Sequence, residues 1–80
     1  MAEKLTVRRI DGVKPPSTGR IEIMDAVSRG LCYRVTSGGD RTWTLRIKMQ
    51  GRDRRFTIGE SPAMSLADAR RAASKLREAR

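Results

Sequence analysis

Apolar and polar residues alternate with a period of two through the middle of this chain, then change to a helical period near its end. From Leu31 to Thr36, Leu31, Tyr33 and Val35 alternate with Cys32, Arg34 and Thr36, which is the pattern of a half-buried strand. Ser37-Gly38-Gly39-Asp40-Arg41 has the composition of a hairpin loop. The run after it is the clearest in the chain: Trp43, Leu45, Ile47 and Met49 face one way, and Thr42, Thr44, Arg46 and Lys48 the other. Gln50-Gly51 predicts a tight turn, because glycine readily takes the positive φ that hairpin turns need. Arg52 to Ile58 follows with Phe56 and Ile58 inward and Arg55 and Thr57 outward, completing a three-stranded meander. Upstream, Arg20-Ile21-Glu22-Ile23-Met24-Asp25 places Ile21 and Ile23 on one side, as a short edge strand would, before the turn Ser28-Arg29-Gly30.

Beyond Gly59-Glu60-Ser61-Pro62, Ser65 with Asp68 fits a capping box, and Leu66, Ala69, Ala73 and Leu76 form a narrow apolar stripe. The small alanines would let this helix lie close against the sheet. At the other end, Leu5, Ile10 and Val13 are candidate docking side chains and Thr6 a candidate helix cap, while Gly12 argues against a long helix there. Lys14-Pro15-Pro16-Ser17-Thr18-Gly19 cannot continue a helix or a central strand and reads as a connector. The expected fold class is therefore α+β: a three-stranded antiparallel sheet, with a short extra N-terminal edge strand, packed on one C-terminal helix. Residues 1–80 form one domain, with an N-terminal segment and connector over 1–19, the sheet over 20–58 and the helix over 65–80. The helix runs to Arg80 with no stop signal, which suggests a domain excised from a longer protein.

Composition narrows the chemistry. Eighty residues bury only about 60% of the surface that the unfolded chain exposes, so one face of the sheet is expected to stay wet. Eighteen Lys and Arg against nine Asp and Glu give a net charge of +9, a surface that attracts polyanions. No histidine and a single cysteine, Cys32, leave no transition-metal cluster, no intrachain disulfide and no nucleophile-base pair. No cofactor, small-molecule ligand or catalytic activity is expected. The chain opens without a signal-like apolar run and nowhere approaches the roughly 20 apolar residues of a membrane span, so neither a membrane nor an oxidising compartment is called for.

Folding each hairpin about its loop tests the alternation, because a slip of one residue would turn every side chain over. Folded so, Val35 meets Trp43, Tyr33 meets Leu45 and Leu31 meets Ile47; in the second hairpin Trp43 meets Ile58 and Leu45 meets Phe56. Trp43, Tyr33 and Phe56 read as core, and Cys32 as a small filler. The outer face then carries Arg34, Thr36, Thr42, Thr44, Arg46, Lys48, Arg55 and Thr57 as candidate DNA-binding residues. Arg46 stands opposite Arg55, with Asp53 opposite Lys48 as partial relief; a longer turn would set Arg55 opposite Lys48 instead, so one repulsive pair survives in either register. Like charges facing across a ladder are unfavourable, which makes sense on a surface that normally meets an anion. Arginine pairs bidentately with guanine edges, and threonine bonds to bases or phosphates or touches a thymine methyl. Exposed aromatic platforms, which single-strand and RNA binders use, are missing from this face, and that favours duplex DNA. The same residues also suit a solvated face or a module binding an acidic protein partner. Arg70, Arg71, Lys75, Arg77 and Arg80 on the helix read as a solvated face with a secondary claim to phosphate.

The order Leu5-Thr6, Ile10, Lys14-Pro15, Glu22-Ile23-Met24-Asp25, Gly30-Leu31, Arg34-Val35, Gly39, Trp43, Leu45-Arg46, Thr57-Ile58-Gly59, Pro62-Ala63 and Ser65-Leu66-Ala67-Asp68-Ala69-Arg70 resembles the arm-type DNA-binding domain at the N-terminus of many tyrosine-recombinase integrases of phages and genomic islands. Cys32, Ile47 and Ser61 depart from it, standing where a glycine, an aromatic and another aromatic are common. The resemblance implies a sheet backed by a helix that reads arm-type sites through the major groove, chiefly by Arg34, Thr44, Arg46, Lys48, Arg55 and Thr57. It further implies site-specific integration and excision of a prophage or genomic island as the process served. Implied partners are the arms of attachment sites and the remainder of an integrase chain that holds the catalytic residues, in the bacterial cytoplasm on the nucleoid.

Overall fold

The computed structural model describes residues 3–61 and 63–79, without the side chains of Met49 and Ala79. The expectations resting on Pro62, on an inward Met49 side chain and on Arg80 therefore lie outside the described residues. Thr6 caps the first regular element, its side-chain oxygen accepting the Arg9 amide at 3.1 Å, and the short helix α1, Val7–Asp11, follows. Strands β1 (Arg20–Met24), β2 (Leu31–Thr36), β3 (Arg41–Met49) and β4 (Arg52–Glu60) form one antiparallel four-stranded sheet in the order β1-β2-β3-β4. The short edge strand thus joins the expected meander as its fourth member. Helix α2, Leu66–Ala79, lies against β2, β3 and β4, and Ser65 caps it by accepting the Asp68 amide at 3.1 Å.

Both hairpins keep the expected faces; the first changes its register throughout and the second only beyond a bulge. Thr36 donates its amide to the Asp40 carbonyl at 3.0 Å, and its hydroxyl accepts the Asp40 amide at 3.2 Å. These bonds close the loop around Gly38, with Gly39 at φ +92°, rather than around Gly39. The pairing therefore moves by two residues: Tyr33 meets Trp43, Leu31 meets Leu45 and Val35 meets Arg41. A shift of two leaves every side chain on its own face. Its product is a ring pair, Tyr33 and Trp43, with centroids 4.8 Å apart. In the second hairpin Gln50 and Gly51 both take positive φ, 51° and 79°, as a type I′ turn requires. Leu45 meets Phe56 and Arg46 meets Arg55, as expected. A bulge between Trp43 and Thr44 then sets Trp43 opposite Gly59 instead of Ile58. Met64 packs directly over Gly59, where a Cβ would meet its sulfur at 2.7 Å.

The core lies between the sheet and a cover of two parts. Leu31, Tyr33, Val35, Trp43 and Leu45 from the strands, each at most 1% exposed, meet Leu66, Ala69 and Ala73 of α2 and Leu5, Ile10 and Val13 of the N-terminal segment. Fully burying a large apolar side chain contributes roughly 1.5–3 kcal/mol, so this group is the main source of stability. The polar ends of its aromatics are satisfied: Trp43 Nε1 donates to the Met64 carbonyl at 2.9 Å, and Tyr33 Oη accepts from Arg41 Nη1 at 3.0 Å. Arg41 also donates to the carbonyls of Ile10 and Val13, tying the N-terminal segment to β3.

Four apolar side chains expected inward are only partly covered: Ile21 and Ile58 pack against the core, and two others are more open. Leu76 is 36% exposed near the end of α2, and Phe56 is 37% exposed. Phe56 faces inward opposite Leu45, yet among the described residues the open hollow it shares with Gln50, Arg52 and Arg54 has no helix residue in its lining. The β3–β4 hairpin reaches past its cover.

Asp25, just beyond β1, joins sheet, helix and N-terminal segment. Its side chain is fully buried and receives Arg70 Nε at 2.8 Å, Arg70 Nη2 at 3.1 Å and the amides of Leu5, Val27 and Ser28. Burial alone would raise the Asp25 carboxyl, but the Arg70 hydrogen bonds and charge and the backbone amides outweigh it and hold the pKa below its ordinary value. Arg70 completes the joint by donating to the Leu5 carbonyl at 2.9 Å. Arg77 donates to the Ser28 hydroxyl at 3.1 Å and the Arg29 carbonyl at 2.6 Å. The solvated reading of the helix arginines therefore fails for Arg70 and Arg77, which are half-buried anchors. Arg71, 3.3 Å from Asp68, and Lys75 stay exposed.

Candidate nucleic-acid interface

With the inner face occupied by the core, every strand presents its other parity to solvent. The register lines these residues up in rows across the sheet. Glu22, Arg34, Thr42 and Glu60 form one row; Met24, Cys32, Thr44 and Thr57 the next; Arg46 and Arg55 a third; and Lys48 and Asp53 a fourth. Arg20 and Thr36 pair at the margin. All eight residues singled out from the sequence share this face, but not equally: Arg46, Lys48, Arg55 and Thr57 are exposed, Arg34, Thr36 and Thr42 half-buried, and Thr44 is buried at 2%.

Thr44 is covered because its row is made of short side chains beneath long ones. Cys32 and Thr44 sit side by side under a shallow hollow lined also by Glu22, Met24, Gly30, Arg46 and Arg55, and Arg55 stretches over them from β4 toward β1. Burial, reinforced by the charge of Glu22, raises the Cys32 thiol pKa. A neutral filler thiol results.

Glu22, on the edge strand, is the site residue that the sequence reading missed. Its Oε1 lies 3.1 Å from Arg34 Nε, 3.0 Å from Arg34 Nη2, 3.4 Å from Arg55 Nη1 and 3.1 Å from Arg20 Nε. Partial desolvation pushes the Glu22 carboxyl up, but the Arg34 hydrogen bond and the charges of Arg55, Arg34 and Arg20 outweigh it and hold the pKa below its ordinary value. Glu22 thus relieves part of the like-charge stress between Arg46 and Arg55 from across the sheet, while Asp53 stands opposite Lys48 on the neighbouring strand as expected. Glu22 alternates with Ile21 and Ile23, which already places it outward; pairing β1 with β2 would have set it opposite Arg34.

Gly30 shapes the rim of this face. It accepts the Arg46 amide at 2.9 Å, takes φ +86°, and approaches the Arg46 backbone too closely for any side chain. Among the described residues no group of three or more His, Cys, Asp or Glu could hold a metal ion, and no helix is long and apolar enough to cross a membrane.

The face can therefore offer guanidinium forks and an ammonium group interleaved with threonine hydroxyls to a long, anionic, hydrogen-bonding partner. Comparison with known proteins points the same way. A family model described as "Arm DNA-binding domain" matches residues 5–80. The integrase of Shigella phage Sf6 and the prophage integrase IntS of Escherichia coli K12 are each 35% identical to the chain over 66 residues, 82% of its length. The match takes up 16% of either relative, so the chain spans a small part of their length.

Proposed function

The chain belongs to the family of arm DNA-binding domains, and from that premise we propose that it binds double-stranded DNA sequence-specifically by laying the outer face of β2, β3 and β4 into the major groove of arm-type sites. The observation that carries this reading is the sorting of the sheet: apolar side chains beneath the cover, and Arg20, Arg34, Arg46, Lys48 and Arg55 with threonines on the free side. Three strands about 4.8 Å apart span about 10 Å between outer axes, which suits a groove about 12 Å wide. Arginines would read guanine edges while the remaining cations and threonines contact phosphates. The process served is integration and excision of a prophage or genomic island. The domain works as the DNA-anchoring part of a tyrosine recombinase whose remainder supplies catalysis, in the bacterial cytoplasm on the nucleoid.

Arg46→Glu tests the reading. Arg46 is exposed and faces Arg55, so a glutamate there removes a repulsion and leaves the fold intact. Binding to a duplex selected by the wild-type chain from a randomised pool should fall at least tenfold, a loss of about 1.4 kcal/mol or more. Unchanged affinity would reject the sheet face as the contact surface. If roughly five phosphates are neutralised, the wild-type slope of log K against log salt should be about −4.5.

A further inference from the structure

Glu22 is an acid on the edge strand beside a face whose proposed ligand is a polyanion, and the fold gives it little reason to be there. Its partners Arg20, Arg34 and Arg55 have side chains 58%, 25% and 37% exposed, and ion pairs of that kind contribute little to stability. A carboxylate on this surface also opposes the general attraction to phosphate on which non-specific DNA binding depends.

The way it holds the arginines suggests a use. Arg34 turns one edge of its guanidinium, Nε and Nη2, to Glu22 Oε1 at 3.1 and 3.0 Å. That leaves the end-on fork of Nη1 and Nη2 to donate to a bidentate acceptor such as guanine O6 and N7. Arg55 is tethered through Nη1 at 3.4 Å, which draws its long side chain across Cys32 and Thr44 instead of letting it swing free. An arginine fixed in this way loses less rotamer freedom on binding. To grip a phosphate in any other direction it must first leave the carboxylate.

We propose that Glu22 is the specificity-setting residue of the DNA face: it positions Arg34 and Arg55 for base readout and withholds them from the phosphates of unrelated DNA. The inference rests on the sheet-face reading above. Glu22 acts through the arginines and is a positioning residue.

The experiment compares wild type, Glu22→Gln, Glu22→Asp and Arg46→Glu, each binding the selected duplex and a scrambled duplex of equal length and composition across a salt series. Glu22→Gln should bind the scrambled duplex more tightly. Its ratio of selected to scrambled affinity should fall about fivefold or more, the lower end of what one bidentate arginine contact discriminates. On the scrambled duplex its salt slope should steepen by about 0.9 as one freed guanidinium takes a phosphate, with an unchanged melting curve. Glu22→Asp, which keeps the charge, should recover part of the ratio. If Arg46→Glu loses binding while Glu22→Gln keeps the wild-type ratio, this inference alone falls. If Arg46→Glu binds as wild type does, the sheet-face reading and this inference fall together.

Discussion

Two carboxylates three positions apart at one edge of the sheet, Glu22 with three arginines and Asp25 with one, stand in opposite surroundings. Glu22 points outward and shares one oxygen among Arg20, Arg34 and Arg55 in partly exposed surroundings. Asp25 points inward, is fully buried, and divides its two oxygens among Arg70 and three backbone amides. The bonding groups are alike, yet solvent decides what each pair is worth. In water a carboxylate and a guanidinium exchange one set of good hydrogen bonds for another, so the outer cluster adds little to stability. Buried, the same groups have no water to fall back on, and each becomes obligatory. Odd spacing on a strand end thus divides one chemistry into a part that faces water and a part that holds the fold.

The largest expected effect comes from breaking the inner member. Asp25→Ala removes the partner of Arg70 and leaves the Leu5, Val27 and Ser28 amides without their acceptor. Removing one partner of a buried ion pair typically costs 3–5 kcal/mol, a large share of the stability of a domain this size. Chemical denaturation followed by circular dichroism should show a midpoint shifted by that amount, or a chain unfolded without denaturant. A cost below about 1 kcal/mol would mean that the Asp25 joint does not hold the N-terminal segment and α2 to the sheet.

Acid should separate the two clusters next. Burial works to raise the Asp25 carboxyl, but the hydrogen bonds from Arg70 and the backbone win, so its folded pKa lies below its unfolded one. In the range between those values the unfolded chain takes up the proton more readily. The stability that Asp25 contributes is therefore complete above the ordinary carboxylate value, about 4, and is lost as pH falls through the lower folded value. Glu22 shifts in the same direction but in water-screened surroundings. Stability measured between neutral pH and pH about 3 should fall in wild type and in Glu22→Gln alike. A fall that disappears in Glu22→Gln would place the acid-labile bond on the outer face and reverse the contrast.

How far the sequence could be read follows from the same distinction. Alternation assigns faces, and faces survived the two-residue change in the first hairpin because the period is two; the register itself turned on how Thr36 and Gly39 closed the loop. Alternation does not say how far the cover extends, which is why Phe56 is inward and still 37% exposed. Nor does it say which outward residue lies beneath another, so Thr44 carries the pattern of a contact residue and is hidden by longer neighbours. Arg70 and Arg77 looked solvated because their partners, Asp25 and the Ser28 turn, stand 45 or more residues away. Glu22 was legible as outward. Its three arginines come from β1, β2 and β4, so only the assembled sheet brings them together.

A smaller effect is expected where coverage ends. Leu45 is fully buried and Phe56, its cross-strand neighbour, is not. Leu45→Ala should cost about 2–5 kcal/mol, as large-to-small core changes do, whereas Phe56→Ala should cost about 1 kcal/mol, because much of its ring already meets water. Equal costs would mean that the β3–β4 hairpin is covered along its whole length.

The smallest effect sharpens the comparison most. Glu22→Gln keeps the shape of the side chain and removes its charge; the amide oxygen can still accept from Arg34, and the lost ion pairs are partly exposed. Stability should change by less than about 1 kcal/mol at neutral pH. A cost as large as that of Asp25→Ala would make Glu22 a structural keystone. A near-zero cost would show that the outer cluster does not hold the fold, and would set it apart from the Asp25 joint in energy as well as in position.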